Sequence, residues 1–580
     1  MTASPLLLGP MMRYVDETSA SIWVETRERA EVRVIAEGRS WQTDTFAVHG
    51  HHYALVVADG LQPGTTLPYL VEVNGVPAWP LEGASFPPSV IASRMPGKPL
   101  RLAYGSCRTS VSHDATGNRT HGVDALRTFA LAAAAGAVEL PDLLLFLGDQ
   151  VYADSTTEEM QKFIRSRRDI DEPPGEELKD FEEYAHLYQL AWSDEANRWL
   201  LSTQPTGMIF DDHDIRDDWN ASLDWKKKME ATSWWHGRIV AGLAAYWVYQ
   251  HLGNLSPEAR ASDEFWQRIA AHHGDQELDL SDDLDAFADR ADQQPTSYRW
   301  SYRRDFDTAR LIVVDSRVAR DLAPDARGLL NKQELHWLDE QLQGGFRHVL
   351  VATSLPFLLP LGLHHLEAWD EALAQGAWGR PAARIGESLR QMVDLEHWAA
   401  FQNSFQAVAR MAIELAEGKR GPAPDTVTFL SGDVHYSYVA EVDRDSGSRI
   451  IQAVCSPVRN PLPRVLRSFA VVMSYGIAAP LGALAAHSAK VPDPPFRWRT
   501  IEGPWFDNNL ASLAVTPAGL QLTWQTGVVQ DGDELHPTLQ QVAAATVSPR
   551  RAAGRSGRQG RSGRSGGSGR SGRERRMPRT

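Results

Sequence analysis

A chain of 580 residues, 43% hydrophobic and 23% charged, has room for a substantial core and at least one appended module, and its two cysteines, Cys107 and Cys455, exclude a disulfide scaffold. The formal charge of −15 hides an asymmetry: the residues from Pro549 onward hold eleven Arg and one Glu, so the body before them carries −25. An acidic body argues against nucleic-acid binding by the folded part and suits an oxygen-rich cation site.

The first ten residues lack a charged leader, a long apolar core and a twin-Arg pair, so the expectation is a cytoplasmic protein with no export signal. Residues 21–25, 31–35 and 53–57 alternate or run apolar at strand length, with Gly and Pro between them, and predict an all-β module over residues 1–97. The stretch from Leu61 to Val73 resembles the turn-and-strand signature of fibronectin-type sandwiches, with Tyr69 as the corner tyrosine. Pro96-Gly-Lys-Pro99 reads as a linker, and a larger domain is expected over 98–548.

In that domain five short apolar runs, at 102–107, 143–152, 208–214, 350–354 and 428–435, have the composition of buried parallel strands. Helix-spaced apolar residues at 122–137, 233–252 and 331–342 alternate with them, which predicts an α/β fold. The charged stretch 156–198 reads as a helical insertion near the mouth of the site, and the Asp-rich 275–292 as a solvated surface stretch. Residues 468–488 carry no charged side chain, but Pro480 and two glycines interrupt them, so a buried helical hairpin or a flap is expected rather than a membrane span. Residues 549–580 read as a disordered Arg/Ser/Gly-rich tail.

The chemistry sits at the strand ends, where open α/β sheets bind ligands. Gly148-Asp149-x-x-Tyr152, Asp211-Asp212-His213-Asp214 and Ser431-Gly432-Asp433-x-His435 deliver buried negative charge that demands a counter-cation. Cys107 ends a strand beside them and reads as a thiolate ligand, whereas Cys455 reads as a buried small hydrophobe.

Together with Ser106-Cys107, Val314-Asp315-Ser316-Arg317 and Gln333-x-x-x-Trp337-Leu338, these motifs resemble the alkaline phosphatase D (PhoD-like) family of metallophosphoesterases. The resemblance covers nearly the whole chain before the tail. It implies a four-layer sandwich of two mixed β-sheets flanked by helices, behind a small N-terminal β-sandwich. It also implies two-metal hydrolysis of phosphate esters, with Fe³⁺ and Ca²⁺ as cofactors and Mn²⁺ or Mg²⁺ as alternatives in the second position. Cys107, Asp149, Tyr152 and His435 then suit a trivalent iron, and Asp212, Asp433 and Asp218 a hard cation. His213 takes the position of the catalytic histidine with Asp214 as its orienting carboxylate, and Arg108 is placed to hold a phosphate oxygen. His365 and Asn460 are the candidate substrate-binding residues on the rim.

A phosphate-ester hydrolase is therefore expected, with mono- against diester left open. Two alternatives stand beside it: a non-catalytic protein stabilised by metals, and a membrane-associated phospholipid phosphodiesterase. Weak membrane or polyanion association is assigned to 468–488 or to the Arg tail, and no specific nucleic acid to the folded body.

Overall fold

The computed structural model describes residues 4–393, 395–463, 467, 471–472 and 478–549. The Arg-rich tail and most of the first half of 468–488 lie outside the described residues.

The N-terminal region is two facing sheets. One runs through Leu6–Val15, Ala20–Thr26, His51–Ala58 and Phe46–Val48, and the other through Arg39–Asp44, Glu31–Ala36, Thr66–Val73 and Val76–Trp79. In Glu31–Ala36 every second residue is buried, as period-2 patterning requires of a half-buried strand. Those residues meet Ile22, Val24, Val56 and Val71 between the sheets.

Tyr69 departs from the sequence reading. Its hydroxyl does not turn back into the sandwich; it donates to the Ser202 carbonyl at 2.7 Å. Ser202 lies in the last turn of helix Glu195–Thr203, where carbonyls have no intrahelical partner. The tyrosine thus caps a helix of the neighbouring region instead of closing a corner.

The Asp-rich stretch also differs from expectation. Leu278–Asp279 pairs in parallel with Phe46–Ala47, extending the N-terminal sheet. Helix Ser281–Gln293 follows, burying Leu284, Phe287, Ala288 and Ala291. These stand at i, i+3, i+4 and i+7, so most of the acidic residues lie on the outer face of an amphipathic helix, while Asp292 is buried and paired with Lys226 at 3.2 Å.

Two mixed sheets make up the larger region. The three strands Arg101–Gly105, Leu143–Leu147 and Thr206–Ile209 are parallel neighbours, continued by an antiparallel set Leu510–Thr516, Gly519–Val528 and Thr538–Val547. In the second sheet Ala309–Val314, His348–Thr353, Thr426–Ser431 and Arg449–Val454 run parallel, with antiparallel strands at both edges. Each of the five apolar runs begins in a strand and leaves it for a loop, and the strand residues of the runs are buried as a continuous apolar composition requires. Tyr104 and Trp524 of the first sheet donate to the carbonyls of Ala453 and Val454 of the second, at 3.4 and 3.0 Å.

Helices Ala125–Ala134, Trp235–Tyr246 and Lys332–Gln341 match the helix-spaced segments. The second runs on into a π-turn, Trp247–His251, and a short 3₁₀ turn, Leu252–Asn254. The insertion carries Glu158–Arg167 and Phe181–Trp192. Of the uncharged segment, Ala478–Ser488 is a helix lying on Leu361–Ala374, with Leu481 and Leu484 exposed. No helix among the described residues is long and apolar enough to cross a membrane.

Replacing Tyr69 by Phe leaves the Ser202 carbonyl without its donor, and chemical denaturation is expected to read a loss of about 1–2 kcal/mol with the fold retained.

Candidate metal centre

The loops that leave the five strands converge, and the backbone there is unusual. Cys107, Asp149, Asp218, Asp433 and His435 all have positive φ, between 43° and 68°. Each such residue costs about 1–3 kcal/mol and persists only where the surroundings over-determine it. Close approach also demands two glycines. A Cβ on Gly148 would lie 2.6 Å from Asp211 Cβ, and one on Gly432 would lie 1.9 Å from Ser106 Oγ.

One half of the centre is mixed in chemistry. Ligand atoms of Cys107, Asp149 and His435 lie within 4.8 Å of one another. Tyr152 joins them, its hydroxyl donating to Asp149 Oδ2 at 3.2 Å. His435 Nδ1 faces the Asn460 carbonyl at 2.6 Å, which leaves Nε2 as the lone-pair nitrogen. The Cys107 sulfur is within hydrogen-bonding range of Ser106 and Ser456 at 3.1 and 3.3 Å. Burial and the carboxylates of Asp149 and Asp433 push the Cys107 thiol well up, and burial does the same to Tyr152, so both hold their protons until a cation displaces them.

The other half is carboxylate. Asp149, Asp212 and His213 form a second group within 4.8 Å, and Asp211, Asp212 and Asp433 a third. Arg317, fully buried, stands in their midst: it contacts Asp211 and Glu396, lies 3.1 Å from Asp212 Oδ1 and 4.0 Å from Asp433 Oδ1. Arg320 joins Glu396 at 2.8 Å. Burial nevertheless pushes Asp149 and Asp211 well above the usual carboxylate range. One arginine does not neutralise this much charge. Buried Asp149 Oδ1, Asp211 Oδ2 and Asp218 Oδ1 have no hydrogen-bond partner, which is the signature of oxygens awaiting cations. The residues present therefore fit a pair of metals that share Asp149.

Asp433 is held from behind. His397 bridges it, with Nε2 at 2.6 Å from Asp433 Oδ2 and Nδ1 at 2.7 Å from Glu367 Oε1. Burial would raise the Asp433 carboxyl, but the charges of His397 and Arg317 overcome it and hold the group down to about 2.

His213 is positioned differently from the sequence reading. Its Nδ1 meets both oxygens of Asp154 at 2.9 Å, so Asp154, not Asp214, orients the ring. Asp214 points inward and accepts from the amides of Asp211 and Val151 and from Gln250 Nε2. The physical reason is the tight turn at 211–214, which folds the Asp214 carboxylate back beneath the loop. The Tyr152 ring lies 4.8 Å from the imidazole.

Arg108 is likewise engaged elsewhere. Its guanidinium pairs with buried Asp124 at 2.8 Å and donates to the Ala191 carbonyl, which occupies the donors a phosphate would need. Arg459 is spent on the carbonyls of Val111, Ser112 and Gly122. His365 lies on Leu361–Ala374, where Gly482 of the overlying helix packs against its Cβ, and belongs to none of the three ligand groups. Asn460 is beside the centre, where it backs His435 and its side chain reaches Tyr152. Asp218 donates its amide to Asp212 Oδ2 at 3.1 Å and adds its free oxygen to the acidic side.

Sequence reasoning missed Asp154, Glu367, Glu396 and His397. Asp154 had a readable signal, a second acid two residues beyond Tyr152 in the same loop. The other three lie in helical or irregular chain with no strand to announce them.

Two predictions follow from the electrostatics and the support shell. Asp218 is pushed up to about 8 and Asp214 to about 7, mainly by burial. These values exceed the unfolded carboxylate value of about 4, so the cation-free folded protein holds extra protons and loses stability as pH rises from about 4 through about 8. A chelator is expected to depress the melting temperature more at about pH 8 than at about pH 5. Replacing His397 by Ala frees Asp433 to rotate, and cation affinity, read by calorimetry on chelator-treated protein, is expected to fall about 10–100-fold.

Comparison with known proteins gives the family and the fold. The profile of the PhoD-like phosphatase family matches residues 124–466, more than half of the chain, and a domain of unknown function (DUF7800) matches residues 3–91. The solved structure of PhoD is similar at a TM-score of 0.55 and 14% identity, over 94% of each chain, a likeness of fold. The type III pullulan hydrolase from Thermococcus kodakarensis aligns over 90% of this chain and 94% of its own at 10% identity, but its TM-score of 0.15 carries no argument. No curated protein matches.

Proposed function

Because the chain belongs to the PhoD-like phosphatase family, and with it to the hydrolases of phosphoester bonds, we propose that it cleaves phosphate esters by two-metal hydrolysis at the strand ends. The observation that carries this reading is the pairing of a thiol–phenol–imidazole–carboxylate set with a carboxylate set through the shared Asp149.

In this reading Cys107, Asp149, Tyr152 and His435 would hold Fe³⁺, while Asp149, Asp212 and Asp433, joined by Asp218, would hold Ca²⁺, with Mn²⁺ or Mg²⁺ as alternatives. The anionic sulfur and phenolate donors favour a trivalent ion, and the all-oxygen set a hard divalent one. Such cations supply Lewis acidity toward the phosphoryl oxygens and the attacking water.

The chain's own residues do the rest. Asp154 fixes the His213 tautomer by accepting from Nδ1, which leaves Nε2 to carry a proton to the leaving-group oxygen. Burial opposes the charged ring, but Asp154 and Asp212 outweigh it and raise the His213 pKa well above the ordinary value in the cation-free protein. Arg317 opposes the cost of charging Asp211 and Asp212 and directs their oxygens. Asn460 locks His435.

The remaining organisation is proposed on the same footing. An N-terminal sandwich over 1–97 precedes a catalytic domain over 98–548 in which the two mixed sheets stack with helices outside as four layers. The hydrogen bonds of Tyr104 and Trp524 between the sheets support that order.

The test is hydrolysis of an aryl phosphomonoester and an aryl phosphodiester, with added Ca²⁺ and with chelator. His213→Asn is expected to lower kcat by roughly 10²–10⁴-fold with metal content unchanged. Asp149→Asn is expected to lose both activity and metal. Turnover that survives Asp149→Asn would overturn the reading.

A further inference from the structure

The N-terminal sandwich drives one side chain deep into its neighbour. Arg13, on Leu6–Val15, is fully buried and ends against the π-turn and the 3₁₀ turn at 247–254. It donates to the Gln250 carbonyl and lies 3.5 Å from Asn254 Oδ1, with the sulfurs of Met11 and Met208 at 3.0 and 3.2 Å. Gly253 leaves room for it: a Cβ there would stand 1.8 Å from Arg13 Nε. Burial, with Arg304 nearby, holds the guanidinium down to about 9, and the groups that favour its charge are the phenols of Tyr302, Tyr246 and Tyr188 rather than a carboxylate. A cation buried without a carboxylate is a costly way to make ordinary interface glue.

What Arg13 holds is what holds the ligand loops. Gln250 Nε2 donates to Asp214 Oδ1 at 3.2 Å, and Asp214 receives the amides of Asp211 at 2.9 Å and Val151 at 3.3 Å. Asn254 pairs with both backbone groups of Met208, accepting from its amide at 2.9 Å and donating to its carbonyl at 2.7 Å. Met208 lies on Thr206–Ile209, the edge strand of its sheet, so Asn254 stands where a further strand would pair. One end of segment 208–214 is thus clamped by Asn254 and the other by Gln250 through Asp214. The same carboxylate also fixes the turn from Asp149 to Tyr152. π-turns recur at functional sites because they redirect a few side chains out of helical register, and this one aims Gln250.

We propose that the N-terminal sandwich is a positioning module for the metal centre, acting through Arg13, which anchors residues 250–254 so that Gln250 and Asn254 set the loops bearing Asp149, Asp211 and Asp212. Arg13 touches neither ligand nor substrate and is a positioning residue. The cation-binding arm of the test rests on the metal-centre reading; the backbone arm does not.

Arg13→Met keeps the apolar stem and removes the donors. Hydrogen exchange over 148–153 and 208–214 is expected to speed up several-fold, and Ca²⁺ affinity of chelator-treated protein, read by calorimetry, to weaken about tenfold. Arg13→Lys is expected to restore part of both. Tyr69→Phe is the control: it removes another hydrogen bond between the same two regions, so it lowers stability but leaves exchange in those segments and Ca²⁺ affinity unchanged.

Unchanged exchange at 148–153 and 208–214 in folded Arg13→Met overturns the proposal, and so does an equal local effect of Tyr69→Phe. Should Arg13→Met fail to fold, Gln250→Met, which leaves the interface side chains intact, must reproduce the loosened loops; protection retained there overturns it. Wild-type protein that binds no Ca²⁺ would remove the metal reading, and the exchange measurement would still decide the role of Arg13.

Discussion

The structure is organised around a repulsion. Asp149, Asp211, Asp212, Asp433 and Glu396 are brought into one buried volume, and among the described residues Arg317 is the guanidinium that touches several of them. At interior dielectric such charges repel far more strongly than in water, and desolvation adds to the cost. The chain meets this in two ways. Arg317, Arg320 and His397 tie down the carboxylate oxygens that face the protein, and the oxygens left over face a common space. Asp211, Glu396 and Asp433 are thus each held by a partner of their own within the protein.

Backbone strain shows where the sheets do work. Cys107, Asp149, Asp433 and His435 all leave their strands with positive φ. A non-glycine residue held there relaxes unless both flanks are fixed. Here one flank is always a fully buried strand, and the other is stitched by side chains: Asn460 behind His435, Ser106 beneath Asp433, Asp214 beneath Val151. Gly148 and Gly432 serve the same geometry from the opposite direction, since any Cβ would force the loops apart.

Much of this was legible in sequence because buried parallel strands are continuous apolar runs and because a carboxylate directly after one is hard to explain otherwise. That reasoning reached Asp149, Asp212, Asp433, Cys107 and His435. It stopped where contact depends on the turn following the strand. Asp154 and Asp214 both follow apolar strands within a few residues, and only the fold of 211–214 decides which meets His213. Arg108 fails for a related reason: adjacency to Cys107 in sequence says nothing of Asp124, which takes its charge. Tyr69 and the Asp-rich 275–292 were read as parts of one module, whereas each belongs to the contact between two.

The two halves of the centre are supported by different kinds of partner, and this has a consequence for how each can be tuned. Cys107 and His435 rest on backbone carbonyls and serine hydroxyls, which are neutral and short. Asp211, Asp212 and Asp433 rest on arginine and histidine, which are charged and reach in from distant segments. Neutral supports fix the geometry of the sulfur–phenol half without adding charge to it. Charged supports compete with the cation for the same carboxylates, so the oxygen half balances binding against release.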